Sequence, residues 1–392
     1  MRTLNILNFQ KQPEGSEIIY LGGDDIEDGV RSCAPGEWCF FKANDRDLIG
    51  FVNPFSSEKN NIVVFNDKEK DPRKLIERNI SNAIKYRAKF SSYTGCSRLI
   101  YGEADLLPGL ICDEYENVIV LQINRAGLDQ HREFIRGCIS KRSQKKVVIF
   151  DSAKERAKEG LPDFQLDELP EEVKILDSGI SYSLNKKQFQ KNGYYYDHRE
   201  NRLKLESFLE KLNESPTKGL DLFCYLGSWG FHALRANVEH MTFVDQANMQ
   251  ENIVNTAEIN KVNGSRFEFI RDDVFKCLDK FIASNKRFDL IISDPPAFAK
   301  SFKSKKSALQ GYDKLNLKLL SIADDCAYIV VASCTKYVDL KELDQSFKKS
   351  AKKASKKVRL LDIGTQGYDH PISSLDSRNN YIKYLLYFSE NV

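Results

Sequence analysis

The chain has 392 residues, 41% hydrophobic and 29% charged, with a formal net charge of +3 at pH 7. That length gives room for a large core and two or three domains, and the composition is that of an ordinary soluble globular protein. No apolar run reaches the roughly 18 residues a membrane-spanning helix needs, and the start, MRTLNILNFQKQPEGSE, lacks the apolar centre of a signal peptide; a cytoplasmic protein is expected, and any nucleic-acid role has to rest on local charge clusters.

Residues 1–70 alternate short β-rich runs (EIIYLG, EWCFFKAN, LIGFVNP, NIVVFN) with Gly, Pro, Asn and Asp, the pattern of a small all-β module. A helix follows in DPRKLIERNISNAIKYRAKF: Asp71 suits the N-cap, Pro72 the first turn, and Leu75, Ile76, Ile80, Ala83 and Ile84 recur at helical spacing. SRLIYGEADLLPGLICDEYENVIVLQI reads as strands with EYEN turning a hairpin, then comes a helix near 128–142 and the strand KVVIF. The charged, weakly periodic segment 152–172 reads as a linker and VKILDSGISYSL as a further hairpin. The expected division is 1–70, 71–185 (a central α+β domain) and 186–392.

From about residue 197 strands and helices alternate: KGLDLF, MTFVD, RFEFI, FDLIISD, YIVVAS, KVRLLDI and YIKYLLYF are the strands. Alternation of this kind predicts a mostly parallel, Rossmann-like α/β sheet. The last two strands have no helix between them, so the final one is expected to run antiparallel.

Ligands of such sheets bind beyond the carboxyl ends of the strands. The first end, LDLFCYLGSWGF, enters a helix through Gly227 and Gly230. In G-x-G-x-x-G register Tyr225 takes the first glycine position, which costs a pyrophosphate its closest backbone approach and disfavours a nicotinamide cofactor. The second strand ends in Asp245, a carboxylate suited to ribose hydroxyls. The third ends in Asp272 and Asp273, either of which could accept from an adenine amino group or simply cap the helix. An adenosine-containing cofactor without pyrophosphate fits, and S-adenosylmethionine (SAM) is the natural candidate.

The fourth strand ends LIISDPPAF, with Asp294 held by two prolines, and the fifth ends VVASCTKY, with Cys334 where strand meets loop. If the two strands are neighbours, these side chains lie together. C5 of a pyrimidine is a poor nucleophile, and a thiolate adding to C6 makes it electron-rich, so a cysteine here suits C5 methylation. Asp294 would support protonation or hydrogen bonding at N3. With Cys33, Cys39, Cys96, Cys112, Cys138, Cys224, Cys277 and Cys326, Cys334 makes an odd total of nine cysteines with no C-x-x-C, so neither a disulfide framework nor a metal site is expected.

Together these motifs resemble the class I methyltransferases that make 5-methylcytosine in large-subunit ribosomal RNA, and more narrowly the bacterial 23S rRNA cytosine-C5 group with an N-terminal PUA domain. The resemblance runs through RLIYGEADLLPGLICDEYENVIVLQI, KNGYYYDHRENR, FCYLGSWGF, RDDVFK, DPPAF, GYDKLN, SCT and DHP, and spans nearly the whole chain. It implies a PUA-like N-terminal module that contacts RNA and a SAM-binding C-terminal domain. Phe223, Tyr225, Gly227, Asp245, Asp273 and Asp294 match the cofactor-lining motifs, and Cys334 matches the nucleophile. Ala297 stands where other RNA cytosine-C5 enzymes often carry a second cysteine, in keeping with the single-cysteine group. Departures are Asn192 and His198, where Thr and Gln are commoner, and Ser228-Trp229 in the glycine loop, with Trp229 expected to pack against a neighbour rather than the cofactor.

Arg199, Pro295, Pro296, Phe298, Lys300, Lys303 and Tyr312 are the expected substrate-RNA contacts. KSFKSKK, Lys300 to Lys306, adjoins the chemistry and is the better RNA candidate; the lysines of KKSAKKASKK, Lys348 to Lys357, fall on one face of a helix and read equally as a solvated surface. Two other readings stay open: a methyltransferase for another RNA base or position with Cys334 structural, and a non-catalytic RNA-binding or ribosome-assembly protein that keeps the cofactor pocket. Which nucleotide is modified, whether free rRNA or an assembling subunit is the substrate, and the oligomeric state, a homodimer included, are open at this level.

Overall fold

The structure is a computed structural model that describes the chain except residues 8–15, 28, 44–45, 58–60, 163, 165, 192, 300 and 373–379. It divides into two compact units: Met1–Lys174 with Asn185–Lys191 and Asp369–Asn379, and Ile175–Leu184 with Asn192–Tyr368 and Asn380–Val392.

The first unit holds a five-stranded sheet in the order Arg2–Asn5, Glu37–Ala43, Arg46–Val52, Ile62–Phe65, Ile18–Leu21, and a four-stranded sheet in the order Ser97–Tyr101, Leu110–Glu114, Val118–Ile123, Lys146–Ile149. The helix Pro72–Arg87 begins as its sequence predicts, with the Asp71 carboxylate accepting from the amides of Arg73 and Lys74. Its apolar stripe (Leu75, Ile76, Ile80, Ala83) joins Trp38, Phe51 and Phe65 of one sheet to Ile100, Leu110 and Ile119 of the other in one core. Trp38 adds a buried hydrogen bond from Nε1 to the Gly127 carbonyl, 2.8 Å. Segment 152–172 is not a loose linker. It contains the helix Ala153–Lys158 and is anchored by buried charges: Arg156 pairs with Asp129 and Asp151, and Glu159 with Arg125. Charge density and weak periodicity suggested a linker, but the charges meet partners from distant sequence.

In the second unit we number the strands of the large sheet β1 (Lys218–Leu222), β2 (His240–Asp245), β3 (Phe267–Arg271), β4 (Phe288–Ser293), β5 (Ala323–Ser333), β6 (Lys356–Gly364) and β7 (Lys383–Asn391). Their order is β3-β2-β1-β4-β5-β7-β6. The first five pair in parallel, and β7 runs antiparallel to both β5 and β6, as the missing crossover helix predicts. The strand order reverses between β1 and β4, which places the carboxyl ends of β1, β2, β4 and β5 around one crevice. The central strands are apolar on both sides because helices cover both faces; Leu220, Leu222, Ile291, Ile329 and Leu385 pack with Leu278, Leu315, Leu319 and Phe347 of the helices.

Candidate active site

The turn after β1 has an unusual backbone. Phe223, Tyr225 and Gly227 all adopt positive φ (60°, 48° and 73°), which costs the two aromatic residues conformational energy and fits a functional turn. Gly227 caps the helix Ser228–Arg235. A Cβ at Gly230 would stand 2.2 Å from the Phe243 ring, so only glycine lets this helix lie on β2. The Gly230 amide donates to the buried Asp221 carboxylate at 2.9 Å.

Asp245, at the end of β2, accepts from the Tyr225 amide at 2.9 Å and the Ala247 amide at 2.8 Å. It therefore fixes the glycine turn as well as facing the crevice. Asp273 caps the helix Val274–Ala283 through the Lys276 amide at 3.0 Å. Among the described residues, no lysine or arginine pairs with Asp245, Asp273 or Asp294. A negative crevice with hydrogen-bond acceptors suits a cofactor that carries a sulfonium, an ammonium and ribose hydroxyls, and repels a pyrophosphate. The donor set thus fits SAM.

Asp294 follows β4 and is held from two sides. Trp229 Nε1 donates to one carboxylate oxygen at 3.0 Å, and His198 Nε2 stands 3.6 Å from the other. The Trp229 ring stacks on Tyr384, centroids 5.8 Å apart, so this residue does pack against neighbours, as expected from its place in the glycine loop, and also orients the Asp294 carboxylate. β4 and β5 are sheet neighbours. Cys334 is half-buried, and its thiol lies 3.8 Å from the Pro295 carbonyl, to which it donates. It is not sealed beneath the helices.

The loops carrying these groups are tied together. The Phe298 amide donates to Thr335 Oγ1 at 3.2 Å. Tyr312 Oη lies 2.8 Å from both Ser333 Oγ and Thr335 Oγ1, and its ring packs on Phe298 with centroids 4.7 Å apart. Burial pushes the Cys334 thiol up to about 12, with Asp294 and Asp197 adding to the rise and Lys383 opposing it. At neutral pH the resting sulfur is a thiol, and its ionisation needs positive charge nearby.

Two expected RNA contacts are corrected. Arg199 is fully buried; its Nε donates to the Asp177 carboxylate at 2.6 Å, so its guanidinium holds a hairpin in place. Tyr312, 1% exposed, positions the Ser333–Thr335 turn. Pro295 is buried with its carbonyl toward Cys334, whereas Pro296 and Lys303 are exposed and Phe298 half-buried. Lys300 and Asn192 lie outside the described residues. The KKSAKKASKK lysines do not share one helix face: the helix ends at Lys353 and Lys356 begins β6. Ser350 and Ala351 are buried on its inner side, while Lys348 pairs with Asp344, Lys349 with Asp313 and Lys357 with Glu390.

Sequence reasoning missed Tyr195 and Lys383 and gave Asp197 no role. Tyr195, half exposed, packs edge-on to Tyr225 at 5.5 Å; burial and the charges of Asp197, Cys334, Asp294 and Asp245 push its hydroxyl up to about 12. Asp197 accepts from Tyr381 Oη at 2.7 Å. For Lys383 there was a signal: a single lysine inside the apolar run YIKYLLYF.

Comparison with known proteins bears on this geometry. A family model described as conserved hypothetical protein 95 matches residues 202–358. Ribosomal RNA large subunit methyltransferase I of Pseudoalteromonas atlantica is 30% identical over 344 residues, covering 86% of each chain. The protein of that name from Aliivibrio fischeri is 27% identical over 375 residues, covering 93% of each. Among solved structures, a chain from Streptococcus mutans classed with the SAM-dependent methyltransferases superposes with a TM-score of 0.78 at 19% identity, covering 99% of this chain and 100% of that one. Another, complexed with SAH, gives 0.77 at 20% identity, covering 99% and 100%. At these identities the structures establish the fold.

Proposed function

Since the chain belongs to the ribosomal RNA large subunit methyltransferase I family and is a SAM-dependent methyltransferase, we propose that it forms 5-methylcytosine in RNA, in 23S rRNA, through a covalent adduct of Cys334. The observation that carries this reading is the half-buried thiol at the end of β5, 3.8 Å from the Pro295 carbonyl and beside the oriented Asp294 carboxylate.

The Cys334 sulfur, once ionised, adds to C6 of the base. The electron pair of the C5–C6 double bond moves to C5; N3 takes a proton from water as negative charge develops across the ring, donates it in a hydrogen bond to the Asp294 carboxylate, and releases it when the ring is restored. SAM supplies an electrophilic methyl group on a sulfonium. Loss of the C5 proton to water and elimination of the Cys334 thiolate from C6 restore the aromatic ring. The tie from Phe298 to Thr335 fixes the distance between the Asp294 and Cys334 loops, so both meet one base without reorganisation. Asp245 and Asp273 accept from the cofactor's hydroxyl and amino groups, and Phe223, Tyr225 and Gly227 shape the turn it approaches.

RNA contact belongs to the loop after Asp294. Phe302 is 73% exposed and lies between basic residues, with Lys303 and Lys306 exposed and Lys305 paired with Glu342. An exposed aromatic ring among lysines is a base-stacking platform with phosphate contacts. Residues 1–70 serve as a PUA-like RNA-contacting module and 71–185 as the central domain; the five-stranded sheet supports the first assignment. The enzyme acts in the cytoplasm.

The reading is tested by incubating the protein with SAM and 23S rRNA and sequencing after bisulfite treatment: one protected cytosine is expected, and methyl transfer to a different base or atom overturns it. Reversing Lys303 and Lys306 to glutamate should weaken RNA binding at least tenfold and lower the salt slope by about 1.4–1.8, two phosphate contacts' worth. The same change at Lys352 and Lys353 should cost less. Phe302→Ala should weaken binding by about 1–3 kcal/mol. Filter binding at two salt concentrations reads these effects, and equal losses from the two lysine pairs count against the assignment.

A further inference from the structure

Lys383 is a buried cation, 6% exposed, in the apolar strand β7, where it pairs across the ladder with Ser333 of β5. Its ammonium donates to the Thr335 carbonyl at 2.6 Å and the Tyr381 carbonyl at 3.1 Å. Among the described residues no carboxylate stands within ion-pair distance of it. A buried ammonium satisfied only by carbonyls is costly, and natural proteins rarely keep one without a counter-charge. The adjoining residue in the turn it grips is Cys334.

We propose that Lys383 is a positioning residue for the nucleophile: it pins the Ser333–Thr335 turn through the Thr335 carbonyl and supplies the counter-ion of the Cys334 thiolate. This rests on the reading of Cys334 as the nucleophile and extends it to the question of how the sulfur ionises. On ionisation the S–H electron pair stays on sulfur, the proton passes to water, and the ammonium keeps its three protons. The charge missing at Lys383 and the cation missing at Cys334 answer each other.

The surrounding groups fit this arrangement. Burial lowers Lys383 to about 8, with Cys334, Asp339 and Glu342 opposing the fall. Facing the thiol are Asp294 after β4, Asp197 before the helix Arg199–Leu209, Tyr195 and Tyr312; the two carboxylates act against its ionisation. The Lys383 cation acts for it. Because the lysine loses its charge as pH rises through about 8, its help is strongest below that point and fades above it.

The test is the alkylation rate of Cys334 by iodoacetamide in the full-length protein, followed by mass spectrometry of the Cys334 peptide from pH 6.5 to 10. The exposed Cys326 serves as an internal control. In the wild type the rate should climb about tenfold per pH unit below pH 8 and more shallowly above it. Lys383→Met should slow Cys334 at pH 7.5 at least tenfold, steepen the profile above pH 8 and leave Cys326 unchanged. Lys383→Arg, which keeps the charge, should stay within about threefold of wild type. Should the Met variant not fold, Lys383→Gln, which can still donate to the Thr335 carbonyl, carries the same expectation. Superimposable profiles for wild type and the neutral variant overturn the proposal, as does an Arg variant slowed as much as the neutral one. Retention of methyl transfer by Cys334→Ala overturns the nucleophile reading but not this thiol titration, so the two failures are distinguishable.

Discussion

Cys334→Ala is expected to abolish methyl transfer, lowering kcat by at least about a thousandfold as removal of a covalent nucleophile does, while leaving SAM affinity within about threefold of wild type. Among the described residues the side chain makes one hydrogen bond, to the Pro295 carbonyl, and none to the glycine turn, Asp245 or Asp273, so its loss leaves the cofactor crevice standing. Single-turnover transfer from labelled SAM to rRNA gives the rate, and calorimetry with SAM gives the affinity. Cys334→Ser should be nearly as inactive, since a hydroxyl is a far weaker nucleophile at C6. Transfer that persists within tenfold in either variant assigns Cys334 a structural role and favours methylation at another base or position.

The second large effect concerns stability. Asp177 is fully buried between two buried arginines: it accepts from Arg199 Nε at 2.6 Å, from Arg202, and from Tyr194 Oη at 2.6 Å. Burial alone would raise its pKa, but Arg202 and Arg199 outweigh that and hold it well below the usual carboxylate range. Replacing Asp177 with alanine strands two buried cations, and the loss should be about 3–5 kcal/mol, read from urea unfolding. Because the folded pKa lies below the unfolded value of about 3.9, this contribution is fully present above that pH and lost only as pH falls through the lower folded value. The gap between wild type and variant should therefore be flat from pH 5 to 8. A loss below about 1 kcal/mol contradicts this account. SAM affinity should fall too, because Tyr194 Oη also lies 3.2 Å from Ser228 Oγ at the head of the glycine-turn helix.

Much of the second unit is legible in the sequence. Strand and helix alternation predicted the parallel strands, the missing crossover predicted the antiparallel β7, and strand-end motifs located Asp245, Asp294 and Cys334. These are local signals: hydrophobic period, punctuation by Gly and Pro, and polar residues at the ends of apolar runs. Arg199 and Tyr312 were misread for the opposite reason. Both sit in motifs that adjoin the site in sequence, and nothing local reveals that Asp177 arrives from a hairpin or that Ser333 and Thr335 close over a tyrosine hydroxyl. The lysines of 348–357 fail similarly, since their acidic partners Asp313 and Glu390 lie far along the chain.

The sequence by itself determined the fold of the catalytic sheet and which residues could carry chemistry, because periodicity and residue type act over a few neighbours. Only the tertiary structure decided which of them share a crevice and in what charge state. Burial and the sign of nearby charge depend on chain segments as distant as Asp197, Asp294 and Lys383. The electrostatics of Cys334 is therefore a property of the assembled fold and of no single stretch.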